Sequence, residues 1–98
     1  MEPHLTDSGL NRLFDALARL KTRGEFHAFF DDLCTIAELE ALSQRFAVAR
    51  LLSEGKTYNE AASATGASSA TISRVNKCLL HGAGGYKTAL ERLGKDGV

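Results

Sequence analysis

The chain has 98 residues, 44% of them hydrophobic and 24% charged, with a single proline and a formal net charge of zero. These values exclude a disordered or proline-rich linker protein and predict one small domain, residues 1–98. No segment approaches the roughly 20 apolar residues that cross a bilayer, and the first ten residues lack the features of a secretory signal, so we expect a cytoplasmic protein with no membrane partner.

The charge is divided unevenly along the chain. Residues 1–42 carry four Lys/Arg and eight Asp/Glu, a net charge of −4. Residues 43–98 carry eight Lys/Arg and four Asp/Glu, a net charge of +4. This asymmetry fits an anionic partner for the second half of the chain, and chance patterning of a neutral protein explains it equally well.

The first two predicted elements are helices with apolar faces. Residues 7–21, DSGLNRLFDALARLK, place leucine and phenylalanine at spacings of three and four, which is typical of an amphipathic helix. We expect this helix to end at Gly24. Residues 25–34, EFHAFFDDLC, predict a short second helix whose phenylalanines give it a broad apolar face.

The third predicted element is the longest. Residues 35–55 begin with Thr35 and Glu38, which have the S/T-x-x-E spacing of a capping box, and they finish with Gly55 as a stop. A helical stripe of apolar residues lies between these signals. No segment of the chain alternates with the period of a strand, so we expect an all-α protein.

Two short helices joined by a tight turn are predicted over residues 57–80, and a last short helix over residues 86–93. Thr57 and Glu60 form a second capping box. Gly66 ends the first of the two helices, and Ser68 caps the second. The preceding helices, about residues 8–54, are expected to form the core and a dimer interface.

The two short helices have the pattern of a helix-turn-helix motif. Such a motif needs a small residue where the helices cross, a glycine that can adopt a positive φ in the turn, and an aliphatic residue that returns into the angle between the helices. Ala62, Gly66 and Ile72 meet these needs at separations of four and six. The spacing is fairly specific, and the flanking caps strengthen it.

The second helix of the motif has the features of a recognition helix. A helical wheel places Ile72, Val75 and Leu79 on one face, which must be buried. The candidate DNA-contacting residues are small, hydroxylated or basic: Lys56, Thr57, Ser68, Ser69, Ala70, Thr71, Ser73, Arg74 and Lys77. Small side chains let a helix approach a groove floor, and hydroxyls and cations bind phosphates or base edges. The alternatives are a solvated bundle surface and a module that docks a partner protein through the same helix.

A single small recognition helix is a weak reader of duplex DNA. Specific recognition by such motifs comes from two copies placed roughly 34 Å apart in successive major grooves. The N-terminal helices hold more phenylalanine and leucine than this small reader needs, so we expect them to build a homodimer. Completion of a monomeric core is the alternative.

Three stretches together resemble one known family: ELEALSQR (38–45), LLSEGKTYNE (51–60) and TGASSATISRVNKCL (65–79). Over about residues 29–90 the chain resembles the trp repressor family, in its YerC/YecD-type branch. The resemblance implies a six-helix all-α fold, an intertwined homodimer, and binding to a double-stranded DNA operator that represses transcription.

The resemblance also implies a pocket for tryptophan as corepressor between the central helix and the recognition helix. Thr35, Arg45 and Arg74 match residues of that pocket. The residue after the recognition-helix arginine is glycine in the trp repressor and Val75 here. Since a valine side chain would fill the space of the ligand, we expect no cofactor, with Val75 holding the recognition helix by packing. A tryptophan-like or other small effector is the alternative.

Each of the two arginines has two interpretations. Arg74 faces outward on the wheel and would reach a phosphate; by family analogy it would bind a ligand carboxylate or pair with Glu54 or Glu60. Arg45 would either line a ligand pocket or form a buried or half-buried salt bridge within its helix.

Other chemistry finds little support. His4, His27 and His81 lie apart, without ligand spacing for a metal. Cys34 and Cys78 form no C-x-x-C motif, so we expect free thiols that pack as small apolar groups. No Ser-His-Asp or Cys-His grouping can be argued. The sequence therefore predicts neither an enzyme nor a metal protein.

Overall fold

The computed structural model describes residues 7–95 and shows six α-helices, with no strand in that range. The prediction of an all-α chain of six helices is confirmed. In chain order the helices are α1 (Asp7–Arg19), α2 (Arg23–Leu33), α3 (Ile36–Ser53), α4 (Tyr58–Thr65), α5 (Ser69–His81) and α6 (Gly85–Lys95). By its internal contacts the chain divides into two compact units, residues 1–39 and residues 40–98.

The boundary between α1 and α2 differs from the prediction. Helix α1 ends at Arg19, and Gly24 lies in the first turn of α2 instead of ending α1. The cause is a cap at Thr22, whose hydroxyl accepts from the Glu25 N–H at 3.1 Å. In return the Glu25 carboxylate accepts from the backbone N–H of Lys21 at 2.7 Å. Because these bonds satisfy free donors at the start of α2, the new helix begins before the glycine.

The first unit leaves much of its apolar surface uncovered in a single chain. None of the described side chains of residues 8–39 is fully buried. Phe14 is 52% exposed and Ile36 is 76% exposed, and Leu10, Phe26 and Leu33 are exposed as well. The exposed apolar side chains come from α1, α2 and the start of α3.

Helix α3 has both of the predicted end signals. The Thr35 hydroxyl accepts from the Glu38 N–H at 3.1 Å, and the Glu38 carboxylate accepts from the Thr35 N–H at 2.8 Å. At the other end Gly55 has a φ of 90°. The N–H of Lys56 donates to the carbonyl of Leu51 at 3.1 Å, which is the bond of a Schellman stop.

The second unit is built around a small apolar core. Its buried residues come from α3, α4, the turn that follows α4, and α5: Val48, Ala49, Ala61, Ala67, Ile72 and Val75. Half-buried side chains pack around them, including Tyr86 and Leu90 of α6. Three of the six buried residues are alanines, so the helices approach one another closely. The core therefore holds α4 and α5 against the C-terminal half of α3.

The two cysteines form no disulfide, as expected. Cys34 and Cys78 are free, and both are half-buried. Among the helices of residues 7–95, none is long and apolar enough to cross a membrane.

Candidate nucleic-acid interface

The interface begins at the start of α4, where the predicted capping box is present. The Thr57 hydroxyl accepts from the Glu60 N–H at 3.1 Å, and the Glu60 carboxylate accepts from the Thr57 N–H at 2.8 Å. These reciprocal bonds define where the eight-residue helix starts. They also fix the backbone next to Lys56, whose side chain is exposed.

The same carboxylate has a perturbed pKa. The backbone N–H of Thr57 lowers the pKa of Glu60 below its ordinary value of 4.5; partial desolvation acts against this, and the charge of Lys56 and the hydroxyl of Thr57 lower it further. Glu60 is the only acidic residue in residues 57–81. Its carboxylate is bound to the cap of its own helix, and α5 contains no acidic residue.

The turn between α4 and α5 depends on a glycine. Gly66 has φ 73° and ψ 8°, the left-handed conformation, and its N–H donates to the carbonyl of Ala62 at 2.8 Å. A side chain at this φ would be strained although there is open space around the position. The prediction of a positive φ at Gly66 is thus confirmed.

Helix α5 starts at the predicted cap. The Ser68 hydroxyl accepts from the Thr71 N–H at 3.1 Å and donates to the Thr71 hydroxyl at 3.1 Å. The first intrahelical bond runs from the Ile72 N–H to the Ser68 carbonyl at 3.0 Å. The N–H groups of Ser69 and Ala70 therefore have no partner among the described residues, and they are available to an anion at the helix start.

One face of α5 is buried as the wheel predicts. Ile72 is 1% exposed and Val75 is 2% exposed, and Leu79 is half-buried beside them. On α4 the fully buried small residue is Ala61, whereas the predicted Ala62 is only half-buried. Both alanines contribute to the packing, since the half-buried Ala62 also packs against the buried residues of the core.

The opposite face of α5 is exposed and carries no acid. Its exposed residues, with the cap that precedes them, are Ser68, Ser69, Ala70, Ser73, Arg74 and Lys77. Thr71 is half-buried, and its O–H remains free to donate because its oxygen accepts from Ser68. The hydroxyls of Ser69 and Ser73 form no hydrogen bond with any described residue, so both can bind a phosphate or a base edge.

The cation on this face is not neutralised by its own chain. Within the part of the chain that the structure describes, Arg74 pairs with neither Glu54 nor Glu60 and forms no other ion pair. The Glu54 carboxylate instead accepts from Arg50 at 3.3 Å, and Glu60 is held in its cap. Arg74 is therefore an exposed guanidinium available to an external anion.

The residues of the implied ligand pocket have different surroundings. Thr35 belongs to the first unit, where its hydroxyl caps α3. Arg45 is exposed and forms no ion pair with a described residue, which differs from the expected salt bridge. Val75 lies in the core of the second unit. No contact joins Arg45, Arg74 and Val75 among the hydrogen bonds and ion pairs of residues 7–95.

One contact at this site lies beyond sequence reasoning. Half-buried Gln44 of α3 donates from Nε2 to the carbonyl oxygen of Thr65, at 3.1 Å and 21 positions along the chain. The sequence indicates only that the last carbonyls of α4 need donors, as they do in any helix. The sequence does not say which side chain supplies one.

Comparisons with known proteins agree with this geometry. The family described as Trp repressor protein matches residues 8–94. The uncharacterised protein YerC of Bacillus subtilis (strain 168) is 51% identical over 84 residues, which cover 86% of this chain and 81% of that protein.

Two solved structures are similar over nearly the whole chain. A crystal structure of a candidate Trp repressor from Staphylococcus aureus has 44% identity and a TM-score of 0.86, and covers 93% of this chain and 91% of its own. A TrpR-like protein from Eubacterium eligens ATCC 27750 has 48% identity and a TM-score of 0.87, with 95% and 96% covered. The chain therefore belongs to the Trp repressor family of helix-turn-helix DNA-binding regulators.

Proposed function

We propose that this protein binds a double-stranded DNA operator as a homodimer in the cytoplasm and represses transcription from it. The observation that carries the proposal is the acid-free face of α5. There, the unpaired Arg74 and exposed Lys77 stand beside free hydroxyls and free N–H groups, on a helix held by Gly66 and a buried face. A phosphate backbone with base edges in a groove is the partner that this chemistry suits best.

The dimer rests on the first unit. Its exposed apolar side chains, among them Phe14 and Ile36, are more than a soluble monomer of this size leaves to water. A second copy that covered them would also supply a second recognition helix, and two copies give specific recognition. The mass in solution checks this part: we expect a dimer at micromolar concentration, and a monomer would contradict it.

We further propose that DNA binding needs no corepressor. Val75 is buried beside Ile72 in the core of the second unit, so α5 is packed against α3 without any added molecule. The alternative of a tryptophan-like or other small effector needs space next to α5 at this position, and the valine side chain takes part of that space.

The proposal is tested by selecting bound fragments from a pool of genomic duplexes and then titrating salt. We expect a common sequence among the bound fragments and an affinity that falls steeply with salt, because phosphate contacts release counterions. A protein that docks a partner through α5 would select no sequence and bind duplex DNA no better at low salt. That result would overturn the proposal.

A further inference from the structure

A hydrogen bond from Gln44 of α3 to Thr65 of α4 connects α3 to the helix-turn-helix, and it depends on the relative orientation of the two groups. Across residues 7–95, no other hydrogen bond or ion pair joins α3 to residues 57–81; the remaining contacts are apolar. Gln44 is half-buried, so water competes with its amide less than at an exposed position. Thr65 is the last residue of α4, and its carbonyl is one of those that the helix itself cannot satisfy.

The bond acts on the peptide unit at which the chain leaves α4. That unit carries the Thr65 carbonyl and the Gly66 N–H. The carbonyl accepts from Gln44 at 3.1 Å, and the N–H donates to Ala62 at 2.8 Å. Because a peptide unit is planar, holding both of its polar groups fixes its orientation. This orientation sets the direction in which the chain enters α5.

The side chain of Thr65 also forms hydrogen bonds that hold the end of α4. Its hydroxyl donates to the Ala61 carbonyl at 2.7 Å and accepts from the Ala67 N–H at 3.1 Å. Thr65 thus ties the last turn of α4 to the residue after the glycine. Hydrogen bonds thus lead from Gln44 through Thr65 to Ala67, the residue before the cap of α5.

Apolar packing alone would leave this arrangement less well defined. The buried contacts that hold α4 and α5 on α3 are formed by valine, isoleucine and three alanines. Apolar attraction has no preferred direction, and it changes little when small side chains slide past one another. A hydrogen bond weakens steeply with misalignment, so it selects one orientation among those the core would allow.

We propose that Gln44 is a positioning residue for DNA recognition, which sets the orientation of α5 through the carbonyl of Thr65. This inference rests on the proposed function and deepens it. Gln44 touches no DNA in this view. It determines how much more tightly the protein binds a selected sequence than an arbitrary one, because base contacts need an accurately placed helix, whereas phosphate contacts tolerate small shifts.

The test compares Gln44→Met, which keeps the length of the side chain and removes the donor, with Gln44→Lys, which restores a donor. The probes are a duplex that the wild-type protein selects and a duplex pool of random sequence. For Gln44→Met we expect the ratio of the two affinities to fall about 3- to 10-fold, as the loss of one hydrogen bond suggests, with binding to the random pool unchanged. Gln44→Lys is expected to restore the ratio, because its ammonium group can donate to the Thr65 carbonyl. Its added charge strengthens both bindings alike and so leaves the ratio unchanged.

A second measurement uses the protein without DNA. In Gln44→Met we expect the amide of Gly66 to exchange its hydrogen faster, about 3- to 10-fold, while the amide of Val75 in α5 keeps its rate. Unchanged exchange at Gly66 would overturn the inference, as would an unchanged affinity ratio. An equal loss of both affinities with faster exchange at Val75 would mean that Gln44 only stabilises the fold, which also overturns it. If the wild-type protein selects no duplex, the proposed function fails, and the role of Gln44 in recognition fails with it.

Discussion

Arg74 and Val75 are neighbours in the chain and lie on different faces of α5: the guanidinium is exposed without an ion pair among the described residues, and the valine is 2% exposed. One step of 100° along the helix separates a group that suits DNA from a group that suits the core. This adjacency means that any movement of the valine in its packing also moves the arginine. The stability of the core and the orientation of α5 are therefore linked at this position.

Shortening Val75 tests this link. Val75→Ala removes two buried methyl groups from a core of six residues, and we expect the free energy of unfolding in urea to fall by about 2 kcal/mol. Affinity for a selected duplex is expected to fall as well, because α5 is less firmly held. Ser73→Ala, at an exposed position of the same helix, is the matched control and should change the unfolding free energy by less than about 0.5 kcal/mol.

The proposal that DNA binding needs no corepressor gives a separate expectation for the wild-type protein. A ligand that binds only the folded state must raise the melting temperature by mass action. We expect no rise with L-tryptophan at about 1 mM, roughly 100 times a dissociation constant of 10 μM, at which a bound ligand would contribute about 2.7 kcal/mol. A clear rise would contradict the view that Val75 takes the place of a ligand.

Reversing the charge of Lys77 tests the exposed face. In Lys77→Glu we expect weaker binding to selected and random duplexes alike, and a salt dependence whose slope is smaller by about one phosphate contact. Arg92→Glu makes the same change of charge at an exposed position of α6. It is expected to weaken binding much less. Equal losses in the two variants would mean that only the net charge matters, and would argue against α5 as the contact.

At this site the sequence predicts the features that depend on residues close together in the chain. The caps at Thr57 and Ser68, the positive φ of Gly66 and the burial of Val75 follow from residues within a few positions of each other. The full burial of Ala61 beside Ala62 does not follow from the motif spacing, since the exposure of each position on a short helix depends on what the helix packs against. The link from Gln44 was missed for a similar reason, because it joins residues 21 positions apart.

Gly66 offers a test of the turn that does not involve DNA. Gly66→Ala places a side chain at φ 73°, and we expect the free energy of unfolding to fall by about 1 kcal/mol or more. Gly94→Ala is a matched control, since Gly94 lies in the last turn of α6, without a positive φ and with open space around it. There alanine is expected to stabilise by up to about 1 kcal/mol through its helix propensity. Opposite signs for the two changes in unfolding free energy, measured by urea unfolding, would confirm that position 66 requires glycine because of its positive φ. Crowding by neighbouring atoms would then not be the reason.

The capping box of α4 gives a prediction about acid. The pKa of Glu60 is lower in the folded protein than its ordinary value of 4.5 in the unfolded chain, so its contribution to stability is fully present above that ordinary value and is lost as the pH falls through the folded value. Glu60→Gln keeps an oxygen that can accept from the Thr57 N–H but removes the titrating carboxylate. We expect the variant to be less stable than wild type near neutral pH, and the difference to shrink as the pH falls below about 4.

Urea unfolding at several values of pH between about 3 and 7 measures this difference directly. Glu91→Gln is the control, since Glu91 is exposed on α6 and forms no hydrogen bond with a described residue; its effect at neutral pH is expected to be the smaller one. If the difference between Glu60→Gln and wild type stayed constant as the pH fell, the carboxylate would contribute no more than a neutral acceptor does. The side chain at position 60 would then hold the start of α4 only through its hydrogen bond from the Thr57 N–H, without a contribution from its charge.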